Sequence, residues 1–278
     1  AYVFNGQTAA LLATFASPAP QTQGMFGWNC SLNQSGLIAV GAPHETVAGM
    51  QWAGRAYTFL NGVLKSSLAS PNPVAPGSFG STVVAGDNAI FVCAPQETPG
   101  ALTGAGRVYV YNGATAALQN TLVSPAPQQT GFFGCSLAVH QNLWVVGEYG
   151  QNQGGLVVVG RVHLYSNGNF VKTLPDPTAK GWAGFGWSVV AGAWPGHPLV
   201  VGGCECPSAT GGPVMGPGSM WVFSAPGFVP FRKKTTGSPN PDMFGYASAI
   251  GHNKIVIGNP TETVANLMTA GRVYVFED

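Results

Sequence analysis

An all-β fold of repeated four-stranded antiparallel sheets is predicted for this 278-residue chain by two observations. The dipeptide Phe-Gly recurs about every 54 residues, at Phe26, Phe79, Phe133, Phe185 and Phe244. Each copy is followed by short apolar segments of strand length, separated by turn residues. Four strands in a period of this size are typical of one blade of a β-propeller. We therefore predict a single propeller domain over residues 1–278, with repeats beginning near residues 25, 78, 132, 184 and 243.

Each repeat contains four predicted strands in a fixed order. The first follows Phe-Gly, and the second ends at or near Gly-Ala-Pro, as in IAVGAP (38–43). The third begins at Gly-Arg, as in GRVYVY (106–111), and the fourth ends at Ser-Pro-x-Pro, as in SPNP (70–73), since proline cannot donate to a strand ladder. Asn-Gly pairs after the third strand, beginning at Asn61, Asn112 and Asn167, predict tight turns whose two central residues have positive φ.

The two ends of the chain match the same predicted strand. The N-terminal AYVF resembles the third strand of a repeat, and so does GRVYVF (271–276). We therefore predict a ring of five blades in which N- and C-terminal strands share the closing blade, because sharing removes exposed strand edges. One of the two copies of the third strand would be displaced or added at an edge. The alternative is a segment of a larger ring or array.

Composition excludes several classes of partner. Only 8% of residues are charged and the formal net charge is +1, so we expect no binding to nucleic acid. No apolar run approaches the roughly 18 residues of a membrane helix, and direct membrane insertion is not expected. The histidines show no metal-ligand spacing, and no recognisable catalytic motif is present.

The repeated sequence motifs also resemble those of a known family. Phe-Gly, then Gly-Ala-Pro, then Gly-x-Val-Tyr-Val-Phe, in register over nearly the whole chain, is similar to the FG-GAP repeat of the integrin α-chain propeller. The resemblance implies a non-catalytic recognition or adhesion module at an extracellular or cell-surface location, although no signal peptide is present in the chain. Many repeats of this kind carry a calcium loop between the first two strands, but here those loops contain a single carboxylate, Asp87. We therefore expect no calcium and no cofactor.

A Glu and an Arg recur ten residues apart across the loop between the second and third strands. The pairs are Glu45 with Arg55, Glu97 with Arg107, and Glu262 with Arg272. The third repeat has Gln151 with Arg161, and the fourth has Cys206 with Ser219, so the fourth has lost both partners. A motif that recurs around a ring and is lost as a pair indicates a structural role. We predict structural pairs and no enzyme.

The long loops, between strands two and three and between repeats, should emerge on one face. Scaffold proteins place binding residues on such variable loops, and Trp52, Trp182 and Met215 are the predicted ligand-binding residues. The expected partner is a protein or a glycan. Two alternatives stay open: a carbohydrate-binding lectin, and a structural tile of a cell-surface or filamentous assembly that self-associates through its terminal strands.

Cysteines and sequons give further expectations. Cys30, Cys93 and Cys135 lie in predicted strands and should be small buried hydrophobic residues. Cys204 and Cys206, one residue apart in the longest loop, could hold a soft metal or form a strained disulfide. Asn33 lies in a sequon at a predicted turn and could be glycosylated in a secreted protein.

Overall fold

The structure is a computed structural model that describes residues 1–192, 198–203, 218–224, 227–236, 243–251, 254–265 and 267–277. Within these ranges no helix occurs, and the strands form antiparallel sheets, so the all-β prediction is confirmed. The chain divides into two compact units, Ala1–Pro125 and Ala126–Asp278.

The first unit contains a hairpin and two four-stranded sheets. The hairpin pairs β1 (Tyr2–Phe4) with β2 (Leu11–Thr14). Sheet 1 has the order β3 (Cys30–Leu32), β4 (Ile38–Ala42), β5 (Arg55–Leu60), β6 (Val63–Ala69). Sheet 2 has the order β7 (Thr82–Ala85), β8 (Ala89–Ala94), β9 (Arg107–Asn112), β10 (Leu118–Leu122). Each sheet is thus one predicted repeat.

The second unit contains three sheets of the same design. Sheet 3 has the order β11 (Ser136–His140), β12 (Leu143–Glu148), β13 (Arg161–Ser166), β14 (Asn169–Pro175). Sheet 4 has the order β15 (Phe185–Ala191), β16 (Pro198–Gly203), β17 (Ser219–Ser224), β18 (Val229–Lys234). Sheet 5 has three strands, β19 (Ala247–Gly251), β20 (Lys254–Asn259) and β21 (Arg272–Glu277). The order within every sheet follows the sequence, as expected for blades joined by hairpins.

Two of the three predicted Asn-Gly turns have the predicted geometry. Asn61 and Gly62 have φ of 52° and 80°, and Asn167 and Gly168 have φ of 49° and 83°. The prediction is wrong at Asn112, whose side-chain oxygen instead accepts hydrogen bonds from the backbone N–H groups of Ala114 and Thr115. This loop is longer because Ala116, with φ of 59°, takes the left-handed position. Asn5 caps the loop between β1 and β2 in the same way.

Apolar contacts join neighbouring elements within each unit. In the first unit the hairpin packs on one side of sheet 1, where Val3 and Phe15 meet Phe59. Phe79, from the start of sheet 2, joins a cluster that includes Ala56 of sheet 1. In the second unit Phe185 and Phe244 occupy the same position between sheets 3 and 4 and between sheets 4 and 5. Phe79, Phe185 and Phe244 are therefore core residues between successive sheets of one unit.

Candidate functional site

The predicted Glu residues are the centres of buried hydrogen-bond clusters. Glu45 is fully buried and accepts a hydrogen bond from the Tyr57 hydroxyl at 2.5 Å, whereas the Arg55 guanidinium lies farther away, at 3.7 Å. In sheet 2 the buried Glu97 accepts from the Tyr109 hydroxyl at 2.5 Å and from Arg107 at 3.1 Å. The tyrosine twelve residues after the Glu is thus the closer partner in both sheets, and sequence reasoning missed it.

The serines of the first two Ser-Pro-x-Pro segments contact these clusters. The Ser17 hydroxyl, after β2, donates to Glu45 at 2.5 Å. Ser70, after β6, lies 3.1 Å from the Tyr109 hydroxyl of sheet 2. The segment therefore does more than end a strand, because its serine connects one sheet to the polar centre of the next. The recurrence of serine before proline was the available signal.

Sheet 3 contains the same kind of cluster with different residues. The predicted Glu position is Gln151, but Glu148, three residues earlier, supplies a fully buried carboxylate. Gln151 donates to Glu148 at 2.7 Å, and His163, which takes the place of the tyrosine, lies 2.6 Å from it. The other ring nitrogen of His163 lies 3.0 Å from the Thr173 hydroxyl. The buried carboxylate of this repeat therefore comes from a position three residues earlier in the chain than in sheets 1 and 2.

Sheet 5 repeats the first arrangement in a more exposed setting. Glu262 accepts from the Tyr274 hydroxyl at 2.6 Å and lies 3.0 Å from Arg272. The Asn259 side chain donates to the same carboxylate at 3.0 Å. Among the fourth-repeat positions, Ser219 is buried, and Cys206 lies outside the described residues.

Burial dominates the electrostatics of the clusters. Desolvation raises the pKa of Glu97, although hydrogen bonds from Ser70, Tyr109 and Arg107 oppose the change. Desolvation also raises the pKa of Tyr57 to about 12, and the hydrogen bond to Glu45 acts in the same direction. A neutral tyrosine hydroxyl donates to each of these two carboxylates at 2.5 Å and is closer than the arginine.

The Phe-Gly turn of one sheet lies against two glycines of the preceding sheet. A Cβ added to Gly41 would come 1.9 Å from the Gly80 carbonyl oxygen, and one added to Gly54 would come 2.1 Å from that of Phe79. The same contact joins sheets 3 and 4 and sheets 4 and 5. The residues are Gly147 and Gly160 against Gly186 and Phe185, and Gly202 and Gly218 against Gly245 and Phe244. We name this backbone contact the Phe-Gly socket; only glycine leaves room for it.

The predicted ligand-binding aromatics have different surroundings. Trp52 is 48% exposed, and its ring stacks on His44 with centroids 5.1 Å apart. Its carbonyl oxygen accepts hydrogen bonds from the backbone N–H groups of Gly77 and Ser78. Trp182 is half-buried and has φ of 62°. Met215 lies outside the described residues.

The cysteine prediction is partly wrong. Cys93 is buried as predicted, but Cys30 is exposed and Cys135 is only half-buried. Cys30 lies on the outward side of the short strand β3, whose neighbour Leu32 is also exposed. Cys204 and Cys206 lie outside the described residues.

The Asn33 side chain links sheets 1 and 2 through a hydrogen bond. Its amide donates to the Gly86 carbonyl at 2.8 Å, and its oxygen accepts from the N–H groups of Ser35 and Leu37. Glycosylation would require the Asn33 amide nitrogen to give up its bond to sheet 2, so the structure disfavours modification there.

Comparisons with known proteins give no family for the chain. No protein-family model matches it, and no curated protein matches it. In the part of the chain that the structure describes, no three metal-ligating side chains are grouped together. That part also lacks any helix with the length and hydropathy needed to cross a membrane.

Proposed function

We propose that this protein is a non-catalytic recognition or adhesion module, extracellular or at the cell surface, which binds a protein or glycan through its loops. Trp52 carries the proposal. Its indole is about half exposed, it stacks on His44, and its own backbone is tied to the next sheet. A large aromatic ring held in place offers contact area while losing little conformational entropy on binding.

The buried polar clusters support a structural rather than a catalytic role for the conspicuous charged residues. Glu45, Glu97 and Glu148 are completely buried, and one oxygen of each lies within hydrogen-bond distance of the Tyr57 hydroxyl, the Tyr109 hydroxyl and the His163 ring, respectively. A substrate could not reach these carboxylates without separating the strands. The repeated motif therefore stabilises the scaffold that presents the loops.

We also propose that the sheets are blades of a β-propeller related to FG-GAP repeats. The two motifs that carry the resemblance, Phe-Gly and Gly-Ala-Pro, contribute Gly80 and Gly41, which lie against each other in the Phe-Gly socket of sheets 1 and 2. The predicted count of five blades, with terminal strands sharing the closing blade, stays a prediction.

Binding to an array of immobilised glycans and to a panel of extracellular-matrix proteins tests the recognition role. We expect at least one specific partner, and we expect Trp52→Ala to weaken its binding about tenfold or more, as at an aromatic anchor. Trp28→Ala is the matched control, because Trp28 is 62% exposed but belongs to the start of sheet 1 rather than to a long loop. Equal losses from both substitutions, or no effect of Trp52→Ala, would contradict the assignment.

A structural tile is the second candidate function, and one observation favours it. Val273 and Val275 on β21 are 64% and 55% exposed, whereas the equivalent Val108 and Val110 of sheet 2 are buried. An exposed apolar strand at a sheet edge is suited to pairing with another chain. Self-association of the chain is the corresponding expectation.

A further inference from the structure

A cavity of about 230 Å³ lies between sheets 1 and 2, and two loops form its walls. The first wall is the β3–β4 loop at Ser35, and the second is the β9–β10 loop from Asn112 to Ala114. Leu37, which is buried, and Leu60 contribute apolar surface. All residues that line the cavity belong to the first compact unit, so the cavity is a feature of this unit alone.

Hydrogen bonds hold both walls of the cavity in place. The Asn33 side chain accepts from N–H groups of its own loop and donates to the Gly86 carbonyl of sheet 2. The Asn112 side chain caps the second loop, and the Gly113 N–H donates to the Asn88 carbonyl oxygen at 2.8 Å. The cavity is therefore preformed, and a ligand would not need to order either loop on binding.

Two opposite charges line the cavity without forming an ion pair. Lys65 donates one of its three N–H groups to the Gly113 carbonyl oxygen, at 2.8 Å, and keeps the others for a ligand. Among the described residues, the Asp87 carboxylate has no hydrogen-bond or ion-pair partner. Asp87 is also the single carboxylate in the loops that join first and second strands. The cavity thus offers a strong acceptor and a strong donor.

The second unit repeats the lysine contact but not the carboxylate. Lys172 of β14 donates to the Gly227 carbonyl oxygen next to sheet 4, at 3.1 Å, as Lys65 of β6 does next to sheet 2. This lysine-to-carbonyl bond is therefore a contact of the scaffold. In sheet 3 the residue that corresponds to Asp87 is Gln141. The pairing of a lysine with a free carboxylate thus distinguishes the cavity from the corresponding place in sheet 3.

The groups around the cavity suit one sugar ring. A hydroxyl group can donate to Asp87 and accept from Lys65, and Asn88 and Asn112 bring side-chain amides to the same cavity. The C–H face of a pyranose matches the apolar surface of Leu37. A volume of about 230 Å³ is below the roughly 300–1,000 Å³ of sites for drug-sized ligands, and it fits a single ring. One positive and one negative charge together favour a neutral ligand over an ionic one.

We propose that this cavity binds a neutral monosaccharide. Asp87 accepts hydrogen bonds from the sugar hydroxyls, and Lys65 donates to them. The cavity and Trp52 lie at opposite ends of sheet 1, because the β3–β4 and β4–β5 loops leave opposite ends of β4. The sugar site is therefore separate from the loop surface assigned to Trp52 and does not rest on it.

Titration with glucose, galactose, mannose and N-acetylglucosamine, followed by saturation-transfer NMR, tests the site. We expect at least one of these sugars to bind. We expect Asp87→Asn and Lys65→Met each to raise its dissociation constant by about tenfold or more, because each removes a charged hydrogen-bonding group. Binding of none of the four sugars overturns the proposal. Binding of the zwitterion leucine in their place would assign the cavity to another ligand class and also overturn it.

Lys172→Met is the matched control for Lys65→Met. It removes the same lysine-to-carbonyl bond in the second unit, but Lys172 does not line the cavity. We expect both variants to lose similar thermal stability and only Lys65→Met to lose sugar binding. Equal sugar binding by the two variants would make Lys65 a scaffold residue and overturn the proposal. Sugar binding should survive Trp52→Ala, and its loss in that variant would move the sugar to the loop surface.

Discussion

At the scale of the residue, a buried carboxylate and its neutral donors organise each polar cluster. The spacing of Glu and Arg was visible in the sequence, and it located the acid correctly in sheets 1, 2 and 5. The main hydrogen-bond donors to these carboxylates could not be identified from the sequence. A tyrosine inside an apolar strand is expected to be a core residue, and the sequence does not show where its hydroxyl points. Tyr57 and Tyr109 are core residues and hydrogen-bond donors at once. Their rings are buried, and their hydroxyls donate to Glu45 and Glu97.

Removing Glu97 should cost more than removing its arginine. Glu97→Ala leaves the buried Tyr109 hydroxyl and the Arg107 guanidinium without their acceptor, and we expect a loss of about 3–5 kcal/mol in the free energy of unfolding. Arg107→Ala leaves the carboxylate with its hydroxyl donor, and we expect about 0.5–3 kcal/mol. Urea denaturation of both variants measures the difference. The structural interpretation is wrong if Arg107→Ala abolishes partner binding while its stability is unchanged.

Alkaline pH should destabilise the fold through Tyr57. Burial raises its pKa to about 12, so the folded chain keeps this proton while the unfolded chain releases it near pH 10. The stabilising effect is complete below about pH 10 and is lost as the pH rises toward 12. Thermal melts between neutral and alkaline pH should show this fall, and Tyr57→Phe should show a smaller one. A parent and variant with identical alkaline profiles would exclude Tyr57 as a contributor.

At the scale of the element, sheet 3 shows how one repeat keeps the cluster with other residues. Sheet 1 has Ala42, Glu45 and Tyr57 where sheet 3 has Glu148, Gln151 and His163. The imidazole is shorter than a phenol, and the carboxylate approaches it from a position three residues earlier in the chain. The three side chains therefore interact as one set in sheet 3, and the Gln at the Glu position concealed the buried carboxylate in the sequence.

In sheet 3, substitutions at these three positions should be tolerated only when all three are made together. His163→Tyr alone forces a longer side chain against Glu148, and we expect a loss of about 1–3 kcal/mol from overpacking. The triple variant Glu148→Ala, Gln151→Glu, His163→Tyr recreates the residues of sheet 1 and should recover most of that loss. Chemical denaturation of the single and triple variants measures the coupling. Additive losses in the triple variant would show that the three positions are independent.

At the scale of the whole molecule, the repeat pattern predicted the order of strands within each sheet, because hydrophobic period and turn residues are local properties. The second and third strands of the repeats begin and end within one or two residues of the predicted ones, as at β4 (Ile38–Ala42) for IAVGAP. Contacts between sheets were not predictable in the same way. In the sequence, Gly41 and Gly54 look like ordinary turn or strand glycines. Only the structure shows that the backbone of Phe79 and Gly80 lies against them.

The Phe-Gly sockets predict a ranking of glycine substitutions along the chain. Gly41→Ala places a methyl group 1.9 Å from a backbone oxygen of the next sheet, so the two sheets must separate, and we expect to lose at least about 1–3 kcal/mol. Gly258→Ala has only an ordinary contact at 3.7 Å and should be neutral or stabilising by about 0.4–1 kcal/mol, since alanine reduces the entropy of the unfolded chain. Calorimetric melts at a protein concentration too low for self-association compare the two directly. If Gly258→Ala is as destabilising as Gly41→Ala under these conditions, the close backbone contact at Gly41 does not determine the cost of the substitution.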